Sequence, residues 1–546
     1  MVNEMNKKED LGMNGFAKTI FELRYQKNNE SWSQCVNRVV DSVASIRPEL
    51  TETKNAIELI RSAMYKFEFL PAGRYLAAAG TQHPQVKNCY CLDMEDNKES
   101  IAKVYQDVAL LSMTGAGVGI NFSKVRAKGD LISTTGSYAS GPLPYMEAIC
   151  AIGRASMSAG YRRAALYGEL SWKHKDIFEF INTKQRSELE KQLKNNNYDH
   201  PLPLDIMNIS VSYDKEFLNA YNDSSHELHK HAHKVFDLNV SLSLTTADPG
   251  FAFHVLDDKY ILKNACTEFC SDISGNSCNL GSIYLNKFVN RQEEFRALVD
   301  AAVLFLMLGN EYSSYPKQEW ADIAKETNQI GLGLAGISEF LIRTNSGYNF
   351  TPAMREMAEI FEQQSEASAT KWSAILGVNR PVKIRAIAPT GTTSIVAGTT
   401  SGIEPIFACA YERGFLDKNN KWTQELVIDA AAQRLLDEGF QPEEIFDSYS
   451  LGFEQRVVFQ AELQKYVDQA ISSTVNLPNT NFPKEEAKRI ILKYMPYLKG
   501  LTTYPDGAVS NQPLRRVELR DALKMKNNII DESESTRQCK GGSCSI

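Results

Sequence analysis

No stretch of this chain stays apolar for the roughly 18 to 20 residues that a membrane-spanning helix needs. Positive charge is not in excess either: 60 Lys and Arg stand against 67 Asp and Glu, a net charge of -7. That balance argues against a broad nucleic-acid surface, although it leaves room for a local basic pocket for phosphates. The first ten residues mix acidic, basic and polar side chains and lack the apolar centre of a secretory signal, so the cytosol is the expected compartment. The ten cysteines are scattered rather than regularly spaced and do not read as a secreted disulfide framework. In a reducing compartment they are free thiols unless chemistry uses them. The run Gly115-Ala116-Gly117-Val118-Gly119-Ile120 lacks the Lys-Ser/Thr of a phosphate-binding loop and the acidic ribose ligand of a dinucleotide fold. It is read as a glycine-rich turn with a backbone-packing role. His229, His231 and His233 alternate as ligands on a strand would, but no Cys or carboxylate at ligand spacing joins them. A solvated surface segment is expected there and no metal is assigned.

What is present is an enzyme-sized chain of 546 residues, enough to bury a large core. Ala56, Ile57, Ile60, Met64 and Phe67 recur at helical spacing, so the first seventy residues read as helical, ending at Pro71-Ala72-Gly73. A second helix is predicted over 295–308, and an apolar strand from Asn88-Cys89. Residues 184–203 are polar and read as an exposed excursion, with a strand resuming at Met207. Alternation of helical runs with short apolar stretches such as 384–387 gives an α/β class. The most informative stretch is Asn264-Ala265-Cys266-Thr267-Glu268. An amide, a thiol and a carboxylate at alternate positions of an extended segment project to one side and could converge on one small ligand.

That stretch is followed by Ser277-Cys278-Asn279-Leu280-Gly281-Ser282, then Ala388-Pro389-Thr390-Gly391-Thr392-Thr393-Ser394, Ser401-Gly402-Ile403-Glu404-Pro405, and a closing Cys539-Lys540-Gly541-Gly542-Ser543-Cys544. In this order the motifs resemble the catalytic subunit of ribonucleotide reductase, over most of the chain from about Ser31 onward. The resemblance implies a ten-stranded α/β barrel of two five-stranded halves, with Cys266 on a finger loop at its centre. The expected domains are a small helical region over 1–85, the barrel over 86–510 and a flexible redox tail over 511–546. No nucleotide-binding cone precedes the barrel, so no on/off control by ATP and dATP is expected.

By the same resemblance, Cys266 becomes the thiyl radical that removes the 3'-hydrogen of a ribonucleotide. Glu268 is general base on the 3'-hydroxyl, Asn264 holds the ribose and Asn88 assists. Cys89 and Cys278 supply protons and electrons and finish as a disulfide. Cys89 is chosen over Cys91 because its distance to Glu99-Ser100-Ile101 matches the family pattern, and Cys91 is expected on the other side of the strand. Thr390, Gly391, Thr392 and Thr393 cradle the substrate phosphates. Residues 128–142 and 156–168 resemble the loops that sense an effector nucleotide, ATP or a deoxynucleotide, and Arg162 and Arg163 lie on the second. Cys539 and Cys544, on a polar arm without apolar periodicity, re-reduce the site and are recharged by thioredoxin or glutaredoxin.

The radical source is read from Gly500-Leu501-Thr502-Thr503-Tyr504-Pro505, which resembles adenosylcobalamin-dependent (class II) reductases. Reductases that draw the radical from a separate metal-bearing subunit (class I) usually carry two adjacent tyrosines here, and Thr503 interrupts such a relay. Pro505 replaces the family's usual basic residue. A class I large subunit with a partner therefore stands as the alternative, and a thiol-rich metal-binding scaffold as a remote one. No glycyl-radical motif is found. The chain is shorter than monomeric class II enzymes with their extra insertion, which implies a homodimer. Diphosphate and triphosphate substrates are not distinguished at this level.

Overall fold

The computed structural model describes residues 13, 15–156, 164–197, 200–416, 422–506 and 514–525. Its framework is a set of short, almost entirely buried strands separated by helices, the pattern of parallel strands covered on their outer faces. Strands β1 (Cys89–Asp93), β2 (Gly117–Asn121), β3 (Leu166–Ser171), β4 (Met207–Tyr213) and β5 (Gly250–Phe253) run parallel, each beside the next. A second parallel set begins with β6 (Leu280–Tyr284) and β7 (Gly331–Ala335). It continues through bridges from Leu332 to Arg385 and from Ile387 to Ile471 into β8 (Thr474–Leu477) and β9 (Gly500–Pro505).

The two sets meet antiparallel at both seams. At one seam β9 pairs with β5, Gly500 opposite Ala252. At the other, β1 pairs with the segment that leads into β6. Cys278 N–H donates to Cys89 O at 2.8 Å, Cys91 N–H to Asn276 O at 2.9 Å and Gly275 N–H to Cys91 O at 2.7 Å. Each half is thus a parallel unit, and the succession of pairings returns to its start, as the α/β barrel reading requires.

Packing follows the same division. One apolar cluster backs β1–β5, including Trp172, Phe236 and Trp320. Another backs β6 and β7 and includes Trp32, Phe69 and the helix Gln292–Tyr312, which is buried along most of its length. The N-terminal helices Trp32–Ala44 and Lys54–Tyr65 pack on this second cluster through Val36, Val40, Ile57 and Ile60. Between the halves lies a small cluster, including Cys89, Cys91, Leu262, Ala265, Phe269 and Cys278, that fills the middle.

Four local readings change. Residues 117–121 form a buried strand, not a turn. The segment 184–203 carries a helix, Glu188–Asn196, started by a capping box between Ser187 and Glu190. The three histidines open a helix, His229–Thr246, whose 3.6-residue period places His229 and His233 together and His231 elsewhere. Their rings bond separate carbonyls, of Ala220, Tyr221 and Trp172. Finally, Leu514–Val517 pairs with Ala410–Leu416, and Leu519 and Ala522 are buried beyond it, within the span expected to be a flexible tail. Apolar side chains at 517, 519, 522 and 523 supply the packing that the charged residues between them obscure.

Candidate active site

The centre of the site is a hairpin. Leu262–Lys263 and Cys270–Ser271 pair antiparallel, and Asn264 N–H donates to Phe269 O at 3.3 Å, leaving residues 265–268 as the tip. The tip is a tight turn: Thr267 N–H reaches Asn264 O at 3.1 Å and Thr267 has φ +68°. Asn264, Cys266 and Glu268 therefore converge because the chain turns, not because it is extended. Glycine makes the room. A Cβ at Gly119 would lie 2.0 Å from Lys263 O, and one at Gly117 would lie 2.9 Å from Ala265 Cβ and 3.0 Å from Cys89 Sγ. The other half of the barrel holds the finger too, through Ala470 N–H to Glu268 O at 2.9 Å.

Three thiols meet at this tip. Tyr90 bridges Ser277 in antiparallel fashion, which sets Cys89 opposite Cys278. Directly opposed residues of such a pair have Cα atoms about 4.5–5.5 Å apart, inside the range that a disulfide can span. Cys278 Sγ also accepts the Cys89 backbone N–H at 3.0 Å. The Cys89 thiol is hydrogen-bonded to both Cys266 and Cys278. Its bond with Cys266 acts to lower its pKa, and the bond with Cys278 together with burial outweighs this, so the thiol stays protonated well above its ordinary range. Cys266 is partly exposed, whereas Cys89 and Cys278 are buried. Cys91 does not face away as expected. Residues i and i+2 of a strand share a face, and Cys91 joins the same interior cluster as Cys89, beside Cys270.

Glu268 is 1% exposed, and burial lifts its carboxyl from about 4.5 to about 7, against the opposing pull of the Asn264 amide. Asn264 Nδ2 donates to Glu268 Oε1 at 2.8 Å, and Asn264 Oδ1 accepts Phe269 N–H at 3.1 Å, so the amide is fixed at both ends. Glu268 Oε2 and Asn88 Oδ1 are buried without a protein partner. Both residues line a cleft of about 1100 Å3 whose walls also include Cys89, Cys266 and Thr390–Thr393. A carboxyl raised to about 7 with one oxygen free, on the wall of a cleft, is an arrangement suited to moving a proton near neutral pH.

Thr390, on the wall of the same cleft, has φ +49° and precedes the helix Gly391–Ala397. Its hydroxyl accepts Gly402 N–H at 3.0 Å and bonds Ser394 Oγ at 2.8 Å, which ties the Ser401-Gly402-Ile403-Glu404-Pro405 motif to the turn. Gly391 and Thr392 are exposed. The first backbone N–H groups of a helix have no partner within it, so this rim offers donors to an anion.

Comparison with known proteins bears on this geometry directly. Residues 87–380 and 377–504 match the family described as "Ribonucleotide reductase, barrel domain". The chain belongs to the ribonucleotide reductase family. Among curated relatives it is 27% identical to a vitamin B12-dependent ribonucleoside-diphosphate reductase of Thermoplasma acidophilum, over 91% of this chain and 73% of the relative. It is 26% identical to a protein of the same name from Mycobacterium tuberculosis, over 98% of this chain and 85% of the relative. Among solved structures it superposes on the Actinobacillus ureae class Id ribonucleotide reductase alpha subunit with a TM-score of 0.73. That match has 15% identity and covers 93% of this chain and all of the other, a likeness of fold.

Of the residues expected to act in this reductase, the structure brings Asn88, Cys89, Cys266, Glu268 and Thr390–Thr393 to one cleft. Asn264 and Cys278 stand directly behind it. Arg162, Arg163, Cys539 and Cys544 lie outside the described residues. Among the described residues no group of three His, Cys, Asp or Glu side chains is placed to hold a metal. No helix among them is long and apolar enough to cross a membrane. Thr503, where a relay tyrosine would stand, is fully buried and donates its hydroxyl to Ser243 O at 2.8 Å.

Two side chains went unnoticed in the sequence. Tyr25 bonds the Thr392 hydroxyl and so brings the N-terminal segment onto the rim. Lys87 is wholly buried, bonded to Asn310 with Tyr315 beneath its ammonium, and burial lowers it to about 7. Neither sits in a motif; only the fold connects residue 25 with residue 392.

Proposed function

We propose that this chain reduces ribonucleotides to 2'-deoxyribonucleotides by thiyl-radical chemistry with adenosylcobalamin as the radical source. The observation that carries the reading is the contact of three thiols and one near-neutral carboxyl at the floor of a single cleft. Cys266, the exposed thiol of the three, takes the 3'-hydrogen and returns it at the end. Glu268, through its free Oε2, takes the proton of the 3'-hydroxyl and returns it when the 3'-hydrogen is restored, and Asn264 holds that carboxylate and the ribose in register. The Cys89–Cys278 pair donates one proton to the departing 2'-hydroxyl, which leaves as water. The pair's two electrons and remaining hydrogen reduce the sugar, leaving a disulfide. Thr390, Gly391, Thr392 and Thr393 receive the phosphates, and Asn88 assists beside Cys89.

The cleft, of about 1100 Å3, exceeds the ~300–1,000 Å3 of ordinary small-molecule sites, and it reaches Cys266 directly. Ala72, Gly115 and Ala165 would lie against the cofactor, since they leave the wall without bulk. The chemistry adenosylcobalamin supplies when bound is homolytic removal of the Cys266 thiol hydrogen. A buried threonine at 503 in place of a redox-active ring supports this source over a partner subunit.

Three further elements belong to the reading. Cys539 and Cys544 return electrons to the site and are recharged by thioredoxin or glutaredoxin, which sets the chemistry in a reducing, cytosolic compartment. Arg162 and Arg163 contribute to an effector site for ATP or deoxynucleotides. Two copies of the chain form a homodimer. The test is turnover of the purified chain without oxygen, given a dithiol and either adenosylcobalamin or nothing. Deoxynucleotide formed only with the cofactor supports the assignment; activity that needs a second metal-loaded subunit overturns it.

A further inference from the structure

One buried charge has no part in the chemistry set out above. Lys87, fully buried, stands two residues before Cys89, and its ammonium donates to Asn310 Oδ1. The same oxygen accepts Asn279 Nδ2 at 2.9 Å, and Asn88 N–H donates to Cys278 O at 3.3 Å. The lysine head group is thereby moored to the segment that carries Cys278. The Tyr315 ring lies 5.6 Å from the nitrogen, and the Tyr315 hydroxyl donates to Asn310 O at 3.1 Å. Among the described residues Cys278 is the one titratable group whose charge acts on Lys87, and no carboxylate does so. The phenols of Tyr75, Tyr90 and Tyr315 in this neighbourhood are pushed up by burial and stay neutral.

The two sulfurs of the redox pair differ in access. Cys89 lines the cleft, whereas Cys278 lies behind it and is 0% exposed. A reducing thiolate that enters the cleft therefore meets Cys89 Sγ first. A new S–S bond forms to Cys89, the Cys89–Cys278 bond breaks, and its electron pair leaves on Cys278. The reductant's second thiolate then attacks its own sulfur in the mixed disulfide, which frees Cys89 and closes the reductant as a disulfide. The costly moment is the first, because a negative sulfur away from water must be met by charge or by hydrogen bonds. Cys278 Sγ accepts the Cys89 backbone N–H at 3.0 Å and Asn264 Nδ2 at 4.0 Å, and both donors are neutral. Lys87 is the cation within reach.

We infer that Lys87 is a positioning residue for the redox pair: its ammonium holds the charge that lands on Cys278 when the Cys89–Cys278 disulfide is opened, and so makes Cys278 the leaving thiolate of re-reduction. This rests on the reductase reading above, and within it on that pair of thiols.

The test is the rate at which dithiothreitol opens the disulfide in the full-length chain carrying Cys539→Ser and Cys544→Ser, oxidised beforehand and followed by acid quench, alkylation and thiol mapping. Lys87→Met should slow opening about tenfold at pH 6.5, the worth of one hydrogen bond to a charged group. Burial sets Lys87 at about 7, so with the lysine present the rate per dithiothreitol thiolate should fall as pH rises through 7. In Lys87→Met that profile should be flat, a change that loss of packing alone would not produce. Asn310→Asp keeps an acceptor for Lys87 but sets an anion against its charge, and should slow opening in the same way. A Lys87→Met rate within twofold of the parent overturns the inference, as does a flat profile with the lysine present or an Asn310→Asp rate equal to the parent's. Each of these leaves the reductase reading standing. If Lys87→Met does not fold, the parent's profile and the Asn310→Asp rate decide. A chain in which no Cys89–Cys278 disulfide forms under any oxidant ends both the inference and the role given to the pair.

Discussion

The floor of the cleft and its rim are built on opposite principles. At the floor, Asn264, Glu268, Cys89 and Cys278 are almost fully removed from water, and each polar atom is either bonded to a neighbour or left free toward the cleft. At the rim, Gly391 and Thr392 are exposed, and the donors are backbone groups at a helix start together with threonine hydroxyls. Desolvation tunes the floor, so small changes there alter protonation and electron flow. The rim works through hydrogen bonds and charge near water, where each contact is worth little alone. Substitutions at the floor should therefore strike kcat, and those at the rim KM.

The sharpest division comes from Cys266→Ser, which should abolish deoxynucleotide formation while leaving substrate affinity within about twofold. A serine hydroxyl hydrogen is too strongly held to be removed, and the cradle is untouched. Residual turnover above background would take Cys266 out of its role.

Glu268→Gln should lower kcat by about 10²–10⁴-fold, the usual worth of a general base, with KM little changed. Because the base must be ionised, kcat of the unaltered protein should rise with pH through about 7, and that rise should vanish in the glutamine variant. The same shift has a stability consequence. A carboxyl that titrates at about 7 folded and 4.5 unfolded binds the proton more tightly in the folded state. Its contribution is therefore full below 4.5 and is lost as pH rises toward 7. Chemical denaturation at pH 4.5 and 7.5 should show Glu268→Gln flattening that slope.

Electron supply to the floor is separable from both. Cys539→Ser with Cys544→Ser should leave one turnover per chain, and some cycling with a small dithiol, but eliminate thioredoxin-supported turnover; normal cycling with thioredoxin would remove the tail pair from its role. The smallest effect belongs to the rim. Thr392→Ala should raise KM about three- to tenfold, the loss of one hydrogen bond worth ~0.5–1.5 kcal/mol, with kcat preserved. A fall in kcat instead would mean that floor and rim are not independent.

Much of this division is legible in the sequence because it is written in residue types. Cys266 between Asn264 and Glu268, and Thr390-Gly391-Thr392-Thr393 after a proline, announce their chemistry wherever the chain places them. What is not legible is what depends on tertiary contact. The convergence at the finger was attributed to an extended segment, but a turn with a left-handed Thr267 produces it. The glycines at 117 and 119 looked like a turn, yet they form a strand kept bare so that the finger fits against it. Cys91 was placed on the wrong face although the two-residue period of a strand puts it with Cys89. Tyr25 gains its meaning only from Thr392, 367 positions away. The capping box Ser187-Glu190, by contrast, is readable in the sequence, and it starts a helix where polar composition alone suggests a loop.

The central claim is that three thiols in contact divide one reduction between them, and thiol mapping after a single turnover tests it most directly. Pre-reduced protein, given adenosylcobalamin and ribonucleotide but no external reductant, is quenched, alkylated and digested, and its disulfides are identified by mass spectrometry. In the Cys539→Ser, Cys544→Ser background the account predicts one Cys89–Cys278 disulfide per deoxynucleotide formed, with Cys91 and Cys270 still free. Product formed with Cys89 and Cys278 both reduced, or a disulfide through Cys91 in their place, would contradict it.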